Sequence, residues 1–429
     1  MRFTIIHAAD LHLDSPLVGL ERYEGAPVNE LRAATRRALE NLVQLCLSED
    51  AKLLLLSGDL YDGDWKDYAT GLFFAAQMAR LREVGTRVVW IRGNHDAQSK
   101  LTKNLSLGEH CVELGVKKPE SCLLESLQVA VHGQGFATPA VSEDLTERYP
   151  APIAGALNIG LLHTALGGRR GHASYAPCDV RALEARGYDY WALGHVHQRE
   201  VVQQPEGGGG PWVVFPGNLQ ARHVRESGAK GATLISVCDG AIERVEHRAL
   251  DVVRFEQLTV DVSRASTLSD VGELTRLALA DGLERADGRL LCARVHLVGR
   301  SPSHAELARD SERAKNEIRR MAGELDNGDV WLEGVRFATE LPHDLSQLAQ
   351  RDDATGQLVR ALSTSMRDTE PADEQSRREL LEELKSLNGM LPAEVSLREL
   401  GIDLDDEQCT RELFGEVSRS LLARVLGQP

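Results

Sequence analysis

Residues 52–62 read Lys-Leu-Leu-Leu-Leu-Ser-Gly-Asp-Leu-Tyr-Asp. The continuous apolar run predicts a strand buried on both faces, as in a parallel sheet covered by helices. Gly58 ends that strand in a tight turn, and Asp59 follows directly. The same arrangement recurs four times. Asp10-Leu11-His12 follows Phe3–Ala9, and Gly93-Asn94-His95-Asp96 follows Arg87–Ile91. His163 follows Leu157–Leu162, and Gly194-His195-Val196-His197 follows Tyr190–Leu193. Strand ends on one edge of a sheet can converge on a common pocket, so residues far apart in sequence can share two metal ions.

The pattern around these motifs is that of a layered α/β domain. Further strands are predicted at Leu127–His132, Val213–Phe215 and Ala232–Val237. Leu31, Ala34, Ala38, Leu39, Leu42, Leu45 and Cys46 recur at helical spacing, and a second helix is predicted from Thr70 to Arg82. Gly207 to Gly210, between Pro205 and Pro211, is expected to be a flexible hairpin loop. Near Arg254 the pattern changes to three strands, Val253–Val260, Leu290–Val298 and Val330–Val335, with helices at Leu268–Leu283 and Ser303–Gly323. The expected division is therefore a catalytic domain over residues 1–245, a small α+β capping domain over 250–345, a polar and acidic linker over 346–375, and a helical tail over 376–429. Two apolar stripes mark the tail: Leu380, Leu381, Leu384 and Leu387, then Leu413, Phe414, Val417, Leu421, Leu422, Val425 and Leu426. A helix pair after a linker has few neighbours to cover such stripes, so a partner protein is one expectation and folding back the other.

The chemistry follows from the residue types. In Asp-x-His the two side chains leave an extended segment on the same side, offering a hard oxygen (Asp10) and an imidazole nitrogen (His12). Such mixed ligation suits Mn²⁺, Fe²⁺ or Zn²⁺ better than Ca²⁺. Asp59 is placed to bridge two cations, the arrangement of two-metal hydrolases, and Asp62 to accept a hydrogen bond beside them. Asn94 can ligate through its amide oxygen without adding charge. His95 is adjacent and points elsewhere, which suits a general acid, with Asp96 expected to orient it and raise its pKa. His163, His195 and His197 complete the candidate ligands. After His163 the loop Gly167 to Cys178 carries Arg169, Arg170 and His172, which could touch a substrate phosphate.

Composition sets outer bounds. A chain of 429 residues suggests two or three domains. No apolar run reaches the length of a membrane span, and the N-terminus lacks the pattern of a signal peptide. The seven cysteines are scattered, odd in number and without a Cys-x-x-Cys pair, which argues against a disulfide framework and for a reducing cytoplasm. Net charge is −16, which argues against a protein that coats nucleic acid. The excess is uneven, however, with 15 acidic and 8 basic residues in 361–429. Basic positions in the first half (Arg92, Lys100, Lys103, Arg169, Arg170, Arg222, Arg225, Lys230) could line a groove.

Together the five motifs resemble the calcineurin-like metallophosphoesterase superfamily. The stretch Ala-Asp-Leu-His-Leu-Asp-Ser-Pro (9–16), with Gly-Asp-Leu-Tyr-Asp and Gly-Asn-His-Asp, is similar to its DNA repair exonuclease branch, the SbcD and YhaO proteins. Tyr175-Ala176-Pro177-Cys178 and Pro216-Gly217-Asn218 look closest to YhaO. The resemblance implies a layered metallophosphoesterase β-sandwich flanked by helices, with a small α+β cap and a helical tail. It implies one metal held by Asp10, His12, Asp59 and His197, a second held by Asp59, Asn94, His163 and His195, and His95 as the catalytic histidine. It further implies manganese, with iron(II) or zinc as alternatives, DNA as substrate, and a homodimer. A coiled-coil ATPase resembling SbcC or YhaN would dock on the tail helices. Gly63 stands where protein phosphatases of the superfamily have Arg, and Leu13 where they have Gly, so a protein-phosphatase reading is disfavoured. The competing expectations are a small-molecule phosphodiesterase or phosphatase, favoured by the low pI, and a non-catalytic scaffold, disfavoured because every ligand position is filled.

Overall fold

The computed structural model describes residues 1–15, 26–62, 68–98, 107–167, 175–205, 209–325, 329–342 and short stretches between 350 and 386. The chain divides into two compact units, Met1–Gln257 with Gly282–Ala293, and Leu258–Asp281 with Arg294–Pro429.

The first unit holds β1 (Arg2–Ala8), α1 (Val28–Ser48), β2 (Leu53–Ser57), α2 (Tyr68–Glu83), β3 (Arg87–Ile91), β4 (Cys111–Glu113), β5 (Glu120–Leu124), β6 (Val129–Gly133), β7 (Leu157–His163), α3 (Val180–Ala185), β8 (Tyr190–Gly194), β9 (Glu200–Gln203), β10 (Trp212–Phe215), β11 (Gly231–Cys238) and β12 (Ala241–Ala249). They form two six-stranded sheets, β12-β11-β1-β2-β3-β4 and β5-β6-β7-β8-β10-β9. Strands β1 to β4 run parallel, as do β6, β7, β8 and β10. Alternation along the strands sorts their side chains into layers. Ile5, Leu53, Leu55, Val89 and Ile91 meet Val131, Ile159, Leu161 and Tyr190 between the sheets. Ile6, Ala8, Leu54, Leu56 and Trp90 face outward onto Leu39, Leu42 and Leu81 of the helices. Every residue of β2 is buried, as its leucine run predicts, and each buried leucine contributes about 1.5–3 kcal/mol. On the other outer face Trp191, Leu193 and Phe215 pack on Leu183 of α3.

The predicted strands and both predicted helices of this unit are present. Four strands were not expected: β4, β5, β9 and β12. All are edge strands and half-exposed, and β12 (Ala-Ile-Glu-Arg-Val-Glu-His-Arg-Ala) is rich in charge and lacks a regular apolar alternation. A strand that buries only part of one face leaves a weak apolar signal. The β9–β10 pair is antiparallel, with part of the glycine-rich connection outside the described residues.

Beyond this come β13 (Val253–Asp261), α4 (Leu268–Ala286), β14 (Leu290–Arg300), α5 (His304–Arg309), α6 (Ser311–Gly323) and β15 (Val330–Glu340), with the sheet order β13-β14-β15. The single helix expected over 303–323 is two. Asp310 interrupts it at φ −144°, and its carboxylate accepts the Arg313 backbone N–H at 3.0 Å, capping α6. Arg294 of β14 pairs with Glu333 of β15. The tail stripes lie outside the described residues, apart from helical residues at 381–383 and 385–386. Among the described residues no helix is long and apolar enough to cross a membrane.

One buried polar cluster pins the two sheets together at the edge where the motifs emerge. His7 of β1 reaches the Tyr190 hydroxyl (3.0 Å), the Leu193 carbonyl (3.2 Å) and Ser57 Oγ (3.1 Å), while the Ser57 hydroxyl donates to the Ala192 carbonyl at 2.9 Å. A neutral ring with its proton on Nε2 and its Nδ1 accepting from Tyr190 satisfies all of these. Burial drives His7 down to about 3, against the opposing Leu193 carbonyl and with the help of Arg199. Its folded pKa lies below the unfolded value, so between pH 6.5 and 3 the unfolded chain binds the extra proton and stability falls with pH. In His7→Gln, chemical unfolding should show a shallower loss of stability over that window, by at most ~1.4 kcal/mol per pH unit. An unchanged slope would remove His7 from the acid response.

Candidate metal centre

The carboxyl ends of β1, β2 and β3 in one sheet and of β7 and β8 in the other open onto one place. The loop after β1 is stitched to the loop after β2 by backbone bonds: Asp10 N–H to the Gly58 carbonyl (3.0 Å), His12 N–H to Asp59 (3.1 Å) and Leu13 N–H to Leu60 (3.0 Å). These turns hold non-glycine residues in the left-handed region: Asp10 (φ 51°), His12 (43°), Asp14 (54°) and Asp59 (53°), with His195 at 100°. Each such residue costs about 1–3 kcal/mol, and such strain concentrates at functional sites. Two glycines permit the close approach. A Cβ on Gly93 would lie 2.2 Å from Asp59 Oδ1, and one on Gly194 would lie 2.0 Å from the Ser57 carbonyl oxygen.

Three groups of donor atoms result, each within 4.8 Å: Asp10, His12 and His197; Asp59, His163 and His195; and, at the rim, His12 with Asp62 and His95. Asn94 joins the second, its Oδ1 lying 3.0 Å from His163 Nε2. Asp59 stands between the first two groups, with Oδ2 3.5 Å from His163 Nε2 and 3.8 Å from His12 Nε2. In the first group His12 Nε2 and His197 Nε2 are 3.2 Å apart. Asp10 is anchored by the His195 backbone N–H, at 3.1 and 3.0 Å from its two oxygens.

The donor set fits divalent cations. His163 Nδ1 donates to the Ser57 carbonyl at 2.9 Å, so the neutral ring aims the lone pair of Nε2 at two further acceptors, Asn94 Oδ1 and Asp59 Oδ2. A cation between them would satisfy all three. Without metal a proton takes that part: burial opposes the charge on His163, but Asp59, Asp10 and the Ser57 carbonyl outweigh it and raise its pKa to about 9. Burial raises Asp10 to about 6, against His197 and His163, whereas for Asp59 the surrounding histidines overcome burial and hold the carboxyl well below its usual range. A buried set of aspartate, asparagine and imidazole donors of this kind suits a divalent transition-metal ion.

The surroundings of His95 differ from the expectation. Asp96 does not orient His95. Its buried carboxylate accepts three backbone N–H groups, from Leu60 (3.2 Å), Tyr61 (3.0 Å) and Gly93 (3.0 Å), and so ties the loops after β2 and β3 together. Three amides converging in a tight turn outcompete the neighbouring side chain. Asp62 takes the part instead: its Oδ1 lies 2.6 Å from His95 Nδ1, and this hydrogen bond raises the His95 pKa against burial. The backbone N–H of His95 donates to Asp59 Oδ1 at 3.0 Å. The His95 side chain is 38% exposed, whereas those of His12 and His163 are buried.

Residues 3–199 match the calcineurin-like phosphoesterase family model, and residues 255–340 match the middle domain of the metallophosphoesterase YhaO. The metallophosphoesterase YhaO of Bacillus subtilis is 33% identical over 302 residues, 70% of this chain and 72% of that protein. The chain belongs to the calcineurin-like metallophosphoesterases. This metallophosphoesterase is more distantly similar to the DNA double-strand break repair protein Mre11 of Methanopyrus kandleri, 22% identical over 406 residues, 86% of this chain and 83% of that one. A dimetal phosphatase from Danio rerio is 11% identical, covering 58% of this chain and 96% of its own, with a TM-score of 0.37. The metallophosphoesterase is thus a phosphoester hydrolase of a family that uses divalent metal ions.

Arg169, Arg170 and His172 lie outside the described residues, as do Lys100 and Lys103. Of the other basic positions, Arg92 pairs with Glu113, Arg225 is exposed and Lys230 is buried, its Nζ donating to the His197 carbonyl at 2.9 Å. Arg222 belongs to the site, with Nη1 3.4 Å from Asp62 Oδ2 and Nη2 3.3 Å from His197 Nδ1. Glu226, 2.7 Å from His197 Nδ1, was not anticipated. It sits in an irregular loop without periodicity. The one available signal was that this loop, like the five motifs, follows an apolar strand.

In metal-free protein, the His95 ring signals followed by NMR should titrate at lower pH in Asp62→Asn, which removes the charge that raises its pKa. Asp96→Asn should leave that titration in place and destabilise the fold by about 1–3 kcal/mol, since an amide confronts buried N–H donors. The reverse pattern would restore Asp96 as the partner of His95.

Proposed function

We propose that this metallophosphoesterase is a two-metal phosphodiesterase that hydrolyses DNA as an exonuclease, with manganese as its metal. The observation that carries this reading is the placement of Asp59 Oδ2 between the His12 and His163 nitrogens, beside a half-exposed histidine braced by a carboxylate. Support for DNA comes from the distant similarity, across most of the chain, to a protein named for DNA double-strand break repair.

Asp10, His12, Asp59 and His197 would hold one cation, and Asp59, Asn94, His163 and His195 the other. Two such cations supply Lewis-acid neutralisation of a phosphodiester and a water of lowered pKa. The chain's own residues do the rest. Asp62 keeps His95 protonated by accepting from Nδ1 and leaves Nε2–H to be given to the departing sugar oxygen. Arg222, close to Asp62, adds positive charge near that transfer. Because His95 acts as the acid, hydrolysis should decline as pH rises through its elevated pKa. Net charge (−16) and pI (≈ 5.4) favour a second reading, a small phosphodiester as substrate.

Manganese-dependent cleavage of end-labelled duplex DNA and of bis(p-nitrophenyl) phosphate separates the two. His95→Asn is expected to slow DNA cleavage by ~10²–10⁴-fold while manganese binding is retained, and to slow the nitrophenyl diester less, because its leaving group needs little protonation. Full activity of His95→Asn on DNA would refute its role as acid. Cleavage of the small diester alone, with DNA untouched, would favour the second reading.

A further inference from the structure

Glu226 lies in the loop between β10 and β11, outside the ligand set, and is 8% exposed. Its carboxylate is fully engaged. Oε1 accepts the Nδ1–H of His197 at 2.7 Å, and Oε2 accepts the Asn218 side-chain N–H at 2.9 Å and the Arg222 backbone N–H at 2.7 Å. The His197 backbone is held as well, its carbonyl accepting from Lys230 Nζ (2.9 Å) and from the Asn218 N–H (3.2 Å). His197 is therefore fixed at both ends. With Nδ1 turned to the carboxylate, Nε2 is aimed at the cation position, 3.2 Å from His12 Nε2. The same carboxylate receives Arg222 Nη2 on Oε1 at 3.4 Å, and the other end of that guanidinium reaches Asp62, the partner of His95. One acid outside the ligand set thus holds the ring of one ligand and is linked, through Arg222, to the brace of the proposed acid.

We propose that Glu226 is the positioning residue of one cation position, that of Asp10, His12 and His197, and that it sets the affinity of that position without ligating the metal. The inference rests on the two-cation reading above. A carboxylate behind a ligating imidazole fixes its tautomer and strengthens it as a donor, and its loss weakens metal binding about 10–100-fold. The side-chain contacts of Glu226 run to His197, Asn218, Arg222 and His223 and not to Asn94, His163 or His195, so the effect is confined to one position of the two.

The test is calorimetric titration of the full chain with manganese(II) alone, for the wild type, Glu226→Gln and Glu226→Asp, with metal-free thermal unfolding of each. The wild type is expected to bind two ions. Glu226→Gln should weaken one by ~10–100-fold and leave the other unchanged, and Glu226→Asp, which keeps the charge, should recover part of the loss. Equal weakening of both ions, or of neither, would overturn the proposal while leaving the two-cation reading in place. Fewer than two ions in the wild type would overturn that reading itself. If thermal unfolding shows that Glu226→Gln does not fold, Glu226→Asp decides by the same criterion: a selective loss supports the assignment and a uniform loss or none rejects it.

Discussion

Everything in the first unit is arranged around one carboxylate. Asp59 Oδ2 lies within 4 Å of imidazole nitrogens from both sheets, His12 beyond β1 and His163 at the end of β7. Buried acceptors and lone pairs facing one another repel unless a cation lies among them, and a site of this kind is costly to fold without one. The β-sandwich answers the geometric half of the problem. Parallel strands end together, so five separate chain segments can be brought to one point by registry alone. In the absence of metal a proton answers part of the chemical half: Asp59 and Asp10 raise His163 to about 9 against burial, while burial raises Asp10 to about 6.

That arrangement is held by local sacrifice. Asp10, His12, Asp14 and Asp59 occupy a backbone region that suits glycine, and His195 lies beyond it at φ 100°. The strain is balanced by the backbone bonds between the β1 and β2 loops and by Asp96, which binds the β2 and β3 loops through three amides. Asp14 adds a further anchor, its carboxylate pairing with Arg36 of α1 and with Thr70 of α2. The helices therefore do more than cover the sheet, because they fix the turn from which His12 projects.

How much of this could be read from sequence depended on the kind of signal. Buried parallel strands announce themselves by apolar runs, and polar residues directly after such runs mark the pocket edge, so Asp10, His12, Asp59, Asn94, His163, His195 and His197 were all legible and the structure brings them together. The assignment of Asp96 to His95 failed because adjacency in sequence says nothing about which side chain the turn's amides will claim. Asp62, three residues beyond Asp59, was legible as a hydrogen-bonding residue but not as the partner of His95. Glu226 was invisible as a site residue and Arg222 was legible only as one of several basic positions that could line a groove, since only the folded loop carries them to His197 and Asp62. Edge strands and the break at Asp310 were missed for a simpler reason: half-exposed strands and capping turns have little apolar pattern to read.

The central claim is that Asp59 is shared by two cations. Anomalous diffraction at the manganese edge, from crystals grown with manganese, tests it directly. The account predicts two peaks about 3.5–4 Å apart with an Asp59 oxygen between them, one beside His12 and His197 and the other beside Asn94 and His163. A single peak, or two peaks that do not share Asp59, would contradict it.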